Sequence, residues 1–246
     1  MKLKNKVALI TGASSGIGRA TAIALAKEGC TVIVNFKTDE KSAREVVHQC
    51  ELYSTGNTHF RADISKEAAI REMMKKIKKK YGSLHVLVNN AGTFNENDNP
   101  TNIKVFESMF RENFLSHIMV ITHALKIMKR AKIVNVSSIH GKLGFGRPSA
   151  IAYAAFKASL ESYTKNLAKQ LAPRILVNAV APGRVATPMW GNPSKKQQKK
   201  LGEVHLIKRM IQPEEIADAI VFIAKNDAMC AEILAIDGGY RLAGIS

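Results

Sequence analysis

Tyr153 and Lys157 bracket the stretch Tyr153-Ala154-Ala155-Phe156-Lys157, near the start of a segment, Ala150 to Leu171, that reads as a helix. Four residues is one helical turn, so both side chains share a face. A free phenol has a pKa near ~10 and is a poor acid or base at neutral pH. A fixed ammonium beside it favours the phenolate and lowers that value. The pair is therefore suited to protonate a developing alkoxide or to deprotonate an alcohol. Taken alone, the same spacing describes the edge of any amphipathic helix, and the rest of the chain has to separate the two readings.

The chain has 246 residues, 46% of them hydrophobic, which fits a globular core. No apolar run reaches the ~20 residues of a membrane span. The basic start, Met1 to Lys6, leads into a short apolar stretch and a Gly-rich turn, and reads as strand rather than leader peptide. Cys30, Cys50 and Cys230 are odd in number and far apart, which argues against a disulfide framework or a metal site and fits a reducing, cytoplasmic setting. The seven histidines show no metal-ligand spacing. A formal charge of +17 raises the question of an anionic partner. The lysines of 75–80 read as a solvated helix face, because no aromatic residues interleave them to stack on bases. Nucleic acid would rest on net charge alone. Further basic clusters are Lys126, Lys129, Arg130 and Lys132, and then Lys195, Lys196, Lys199 and Lys200.

The elements that must position Tyr153 and Lys157 begin with Val7 to Ile10, a strand buried on both faces. Thr11-Gly12-Ala13-Ser14-Ser15-Gly16-Ile17-Gly18 follows, then helical apolar spacing to Glu28. Strand, glycine turn and helix make a phosphate-binding context. Gly12 permits the turn, Gly16 a close backbone approach, and Gly18 helix packing on the strand. The helix start offers N–H groups and partial positive charge to a pyrophosphate. An ordinary glycine loop is the alternative. The second strand, Thr31 to Phe36, runs into Lys37 and Thr38 with no carboxylate before Asp39. A carboxylate there would hold a ribose 2′-hydroxyl, whereas Lys37 attracts a 2′-phosphate, so NADP(H) is expected over NAD(H); the alternative is an ordinary loop lysine.

Asp39 to Tyr53 reads as a helix and Thr58 to Arg61 as a third strand. Asp63, just past it, suits either an adenine amino group or a cap beside Ser65. After a helix from Lys66 to Lys80, the strand Val86 to Val88 ends in Asn89-Asn90-Ala91-Gly92, which is either a turn or the lining of a cofactor crevice. Thr93 to Pro100 reads as polar and exposed, and Asn102 to Met128 as one helix with Asn113 in its middle, an unfavourable place without a partner. Ile133 to Val136 is a strand ended by Ser137 and Ser138, and Gly141 to Ser149 a Gly-rich loop. Ile175 to Val180 runs into Ala181-Pro182-Gly183, and Arg184 to Lys200 is a long connection. Pro213 starts a helix to Ala224, and Ile233 to Ile236 is the last strand, closed by Asp237-Gly238-Gly239. The alternation, without repeat or linker, predicts one doubly wound α/β domain over 1–246.

Together these phrases resemble the short-chain dehydrogenase/reductase family over essentially the full chain. The resemblance implies a single-domain Rossmann fold with a seven-stranded parallel sheet, a homodimer or homotetramer, and hydride transfer between a nicotinamide cofactor and a carbonyl or alcohol. It makes Tyr153 the acid/base, Ser138 the hydroxyl that holds the substrate oxygen, and Lys157 the group that binds the nicotinamide ribose and lowers the Tyr153 pKa. Asn113 holds a water linking Lys157 to solvent. Ser137 is the neighbouring alternative, but the Ser138–Gly141 spacing favours Ser138. The expected cofactor-binding set is Gly12, Ser14, Ser15, Gly16, Ile17, Gly18, Lys37, Asp63, Ile64, Asn90, Ala91, Gly92, Tyr153, Lys157, Pro182, Gly183, Val185 and Thr187, with no metal. Three features depart from the family: a longer loop between Ser138 and Tyr153, a shortened run from Lys225 to Leu234, and an unusually basic lid within 184–212.

Within the family, Asn178 to Met189 and Pro213 to Ala217 are similar to 3-oxoacyl-acyl-carrier-protein reductases of fatty acid biosynthesis, although sugar, steroid and quinone reductases carry related phrases. Lys129, Arg130 and Arg174 lie near where such reductases place basic contacts to their acidic carrier protein. The expectation is an NADPH-dependent reductase of a thioester-linked ketone; the alternatives are a reductase or dehydrogenase for another small carbonyl, and a non-catalytic NADP(H)- or RNA-binding relative.

Overall fold

Continuous aliphatic runs dictate strands covered on both faces. The computed structural model describes residues 1–142, 148–191 and 193–243. Strands β1 (Val7–Ile10), β2 (Thr31–Phe36), β3 (Thr58–Arg61), β4 (Val86–Asn89), β5 (Ala131–Val136), β6 (Ile175–Pro182) and β7 (Ile233–Ile236) form one parallel sheet in the order β3-β2-β1-β4-β5-β6-β7. Alternate residues point to opposite faces. Ala8, Ile10, Val34, Val88 and Val134 therefore pack under α1 (Gly16–Lys27), α2 (Glu40–Glu51) and α8 (Pro213–Lys225). Leu9, Ile33, Leu87 and Ile133 pack under α3 (Glu67–Tyr81), α5 (Ser116–Ala124) and α6 (Ile151–Leu171). Seven strands, doubly wound, in one domain is the architecture the alternation predicts.

The strand order turns back on itself between β1 and β4. Connections leave these two strands on opposite sides, which opens a crevice at their carboxyl ends. Register fixes what lines it: Ile10 lies beside Val34 and Val88, and the Thr11 amide donates to Val88 O at 3.0 Å. The glycine turn and Asn89-Asn90-Ala91-Gly92 thus face each other.

Three segments differ from their sequence reading. The helix expected over 102–128 is α4 (Ile103–Phe110), a π-helical turn from Arg111 to Leu115, and α5, which ends at Ala124. The turn widens around Asn113, whose buried amide accepts from the Thr93 N–H at 3.1 Å and donates to Met109 Sδ at 3.2 Å. The connection after β6 carries a further helix, α7 (Lys195–Gly202). Its sequence has no apolar period, but Ser194 and Gln197 form a reciprocal capping box that starts it. Asp98, in the stretch expected to be exposed, is only 2% exposed. The expected Gly-rich loop after Gly141 falls mostly on 143–147, outside the described residues. Among the described residues no helix is long and apolar enough to cross a membrane. Cys30 and Cys50 are buried thiols pushed up to about 12 by burial, and Cys230 is exposed.

Candidate active site

The glycine turn is tied down by side chains from two neighbouring strands. Asn35 closes the β2 side: its Oδ1 accepts from the Gly12 N–H at 3.4 Å, and its Nδ2 donates to Ala62 O at 3.0 Å. On the β4 side, Thr11 Oγ1 accepts from the N–H groups of Asn90 and Ala91 at 3.0 and 3.1 Å. Asn90 Nδ2 returns two bonds, to Thr11 O and Gly12 O, at 2.9 and 3.1 Å. Gly12 has φ +62°, and a Cβ there would lie 2.9 Å from Ala91 Cα. Gly18 packs where a Cβ would strike Gly12 O and, at 2.6 Å, Asn90 Nδ2. That is the strand-packing role its position suggests, and Gly18 itself does not line the cleft. Ser15 at the start of α1 makes no side-chain cap, and the first turn holds no acidic residue. The N–H groups there are the kind that bind an anion.

At the far end of this half, Lys37 Nζ stands 3.3 Å from Asp63 Oδ2. Asp63 Oδ1 accepts from the Ser65 N–H and hydroxyl at 3.0 and 2.7 Å, so the capping arrangement beside Ser65 is present. Partial burial raises the Asp63 pKa, but hydrogen bonds from Ser65 and Lys37 outweigh it and hold the carboxyl below its usual range. Lys37 is 57% exposed, and an ion pair of that kind contributes roughly 0–1 kcal/mol. A phosphate dianion could therefore draw Lys37 from Asp63 at little cost.

The other half is built on α6. Tyr153, Lys157 and Glu161 repeat every fourth residue and form one stripe. Lys157 is 3% exposed, its Nζ donates to Val136 O at 2.9 Å, and it lies 5.7 Å from the centre of the Tyr153 ring. Burial lowers its pKa to about 8. A Cβ on Gly92 would lie 2.7 Å from Asn113 Oδ1 and 3.6 Å from Lys157 Nζ, so only glycine leaves that corner open. Ser137 and Ser138 behave differently. The Ser137 hydroxyl donates to Lys157 O and Glu161 Oε1 at 3.2 and 3.0 Å. Among the described residues, Ser138 Oγ accepts from the His140 N–H at 3.2 Å and donates to none.

Both halves line one cleft of about 600 Å3. Gly12, Ser14, Ser15, Gly16, Ile17, Lys37, Asp63, Ile64, Asn90, Ala91, Gly92, Asn113, Ser138, Tyr153, Lys157, Pro182, Gly183, Val185 and Thr187 all contribute. The base of the lid is pinned: Gly183 N donates to Ile236 O, Arg184 N to His205 Nε2, and Arg209 forms two 2.7 Å bonds to Glu215. Its outer helix, α7, holds Lys195, Lys196, Lys199 and Lys200 in solvent, and Arg184 stacks 5.7 Å from the Trp190 ring. Lys129, Arg130 and Arg174 are exposed at the amino ends of β5 and β6. Across a six-residue strand that is about 20 Å from the carboxyl ends, so within one chain they do not flank the cleft.

Sequence reasoning missed Asn35, Glu161 and Asp98. Asn35 was visible as a polar residue inside an apolar strand, and Glu161 as the next member of the Tyr153–Lys157 stripe. Asp98 gave no local signal, because its partners lie more than fifty residues away.

The chain is similar over most of its length to known proteins. A family model described as enoyl-(acyl carrier protein) reductase matches residues 12–241. The 3-oxoacyl-(acyl-carrier-protein) reductase FabG of Thermotoga maritima is 37% identical, over 97% of this chain and 99% of its own length. Among solved structures, ligand-free aldohexose dehydrogenase of Thermoplasma acidophilum superposes with a TM-score of 0.87 at 27% identity, covering 99% of this chain and 97% of that one. A short-chain dehydrogenase from Burkholderia cenocepacia in complex with NADP gives 0.88 at 28% identity, covering 98% and 100%.

Proposed function

This chain belongs to the short-chain dehydrogenase/reductase family, and we propose that it is an NADPH-dependent reductase of a thioester-linked 3-ketone, with Tyr153 as general acid. The observation that carries the reading is the convergence of Tyr153, Lys157 and the Ser138 hydroxyl on the cleft that also holds the glycine turn. The residues present fit a dinucleotide: the uncapped start of α1 suits a pyrophosphate, and the Gly92 corner beside Lys157 suits a ribose. A bound nicotinamide would supply hydride to the carbonyl carbon. Ser138 donates a hydrogen bond to the carbonyl oxygen and fixes it. Tyr153 transfers its proton to the same oxygen as negative charge develops there. Lys157, mostly ammonium at neutral pH, stabilises the phenolate that remains. Asn113 shapes the floor behind Lys157 and, in this reading, the water path that returns a proton.

Lys37 and the lack of an acidic residue at the end of β2 support NADPH over NADH. The exposed lysines of α7 support an anionic carrier that approaches from the lid side, where its acyl arm reaches the cleft directly. The exposed apolar side chains of Phe106 and Phe110 on α4 and of Ile151 at the start of α6, at 40%, 39% and 40%, support a homo-oligomer. Likeness to the aldohexose dehydrogenase supports a second reading, a dehydrogenase for a free small alcohol.

One panel tests all of this: oxidation of NADPH and NADH with acetoacetyl thioesters, a crotonyl thioester, free ketones and aldohexoses. The expected result is acetoacetyl thioester reduction with a higher kcat/KM for NADPH. Turnover of ketones or sugars without thioesters supports the second reading, reduction of the crotonyl thioester alone replaces the carbonyl by a carbon–carbon double bond, and preference for NADH removes the Lys37 assignment.

A further inference from the structure

The first turn of an α-helix leaves backbone N–H groups without intrahelical partners, and a Ser, Thr, Asp or Asn just before it normally accepts from the second or third. Ahead of α6 that position is Ala150, which has no side-chain oxygen. The missing acceptor comes from elsewhere. Asp98 Oδ1 accepts from the Ala152 N–H at 2.9 Å, and Asp98 Oδ2 from the Tyr153 N–H at 3.0 Å. A residue 55 positions away in sequence thus holds the backbone of Tyr153 itself.

This arrangement costs more than a local cap. Asp98 is 2% exposed, and no ion pair reaches it among the described residues. Burying a carboxylate is unfavourable unless hydrogen bonds and a favourable field offset it. The two N–H groups and the positive end of α6 supply that offset. The segment around Asp98 is organised to deliver it. Asp98 N donates to Asn95 O, the Asn97 N–H to Asn95 Oδ1, and Asn99 Nδ2 to Asn97 O. Asn102 then caps α4 by accepting from the Val105 N–H. At its other end Phe94 sets its ring edge-on to Tyr153, 5.6 Å between centres. The Asn-rich segment therefore touches Tyr153 through backbone and ring at once.

We propose that Asp98 is a positioning residue for Tyr153: its carboxylate fixes the first turn of α6 and so holds the phenol in register with Ser138 and Lys157. The proposal rests on Tyr153 being the proton donor. A displacement near 1 Å at a catalytic group can cost about 100-fold in rate, so loss of one of the two acceptors should lower kcat markedly while KM changes little.

The test compares wild type, Asp98→Asn, which keeps one acceptor, and Asp98→Ala, each alone and in a Tyr153→Phe background. Rates are expressed per NADPH-binding site from fluorescence titration, which removes any unfolded fraction, and are read with whichever substrate of the panel the wild type turns over. We expect kcat to fall roughly 10- to 100-fold in Asp98→Asn, with NADPH affinity within threefold of wild type and no further loss when Tyr153→Phe is already present. The 13Cζ resonance of Tyr153, assigned by its absence in Tyr153→Phe, should shift or broaden in Asp98→Asn, and this readout needs no substrate. A wrong substrate or even a wrong reaction would leave that spectral result standing. An unmoved Tyr153 resonance with unchanged kcat per site, whatever happens to Tm, would overturn the proposal. So would equal losses from Asp98→Asn with and without the Tyr153 hydroxyl.

Discussion

The glycine turn and the first turn of α6 face each other across the same cleft and are secured in different ways. The turn is a matter of backbone: positive φ at Gly12 and Gly16, close approach to Ala91 and Thr187, and short polar residues, Thr11, Asn35 and Asn90, that bond main-chain groups. The α6 side is a matter of buried side chains. Lys157, Glu161, Asp98, Asn113 and His117 are all at most 8% exposed. An anion needs N–H groups and room, which backbone supplies cheaply. A proton donor needs its acidity tuned, and only buried charges and dipoles do that. The two sides should therefore fail differently.

The largest effect belongs to the α6 side. Tyr153→Phe deletes one hydroxyl from a ring that keeps its packing, and kcat should fall by roughly 100- to 10,000-fold. NADPH affinity, read by fluorescence titration, should stay within threefold. A mutant that turns over at a third of the wild-type rate or better would erase the division of labour.

Gly12→Ala is the mirror experiment. A Cβ at φ +62°, 2.9 Å from Ala91 Cα, strains the turn without touching Tyr153. NADPH binding should weaken roughly 10- to 100-fold, a loss of about 1.4–2.8 kcal/mol, while kcat at saturating cofactor changes less than fivefold. Equal loss in kcat and affinity would mean that the two sides move as one body.

The smallest effect is on stability against acid. His117 is fully buried, Nε2 has no hydrogen-bond partner among the described residues, and its pKa is lowered to about 3, first by burial and then by the charge of Lys157. In the unfolded chain it takes up a proton below ~6.5. Between about 6.5 and 3 the unfolded state therefore binds one more proton than the native state, and stability falls as pH falls through that window. Above it the imidazole is neutral in both states and has no pH-dependent effect. His117→Leu should make the fall shallower by up to about 1.4 kcal/mol per pH unit, as measured by urea unfolding from pH 7 to 4. An unchanged slope would place the acid sensitivity elsewhere.

Much of this was legible before any coordinates. Six apolar runs and the mixed segment Thr58–Arg61, the helical periods between them and TGxxxGxG point to the sheet, its parallel sense and the turn that faces β4, because burial on two faces and a tight turn each leave a local mark on composition. Tyr153 and Lys157 stand out only when their spacing is read together with the glycine turn and the Asn-Asn-Ala-Gly phrase, and Lys37 remains an expectation drawn from the absence of a carboxylate at the end of its strand. The structure added what spacing could not show for the two adjacent serines: the Ser137 hydroxyl donates to Glu161, two helical turns further along α6. It alone split the long helix around Asn113, and it alone buried Asp98 beneath the start of α6. Those outcomes depend on partners brought together by the fold across tens of residues. A sequence records the spacing of neighbours along the chain, but hydrogen bonds are satisfied by neighbours in space.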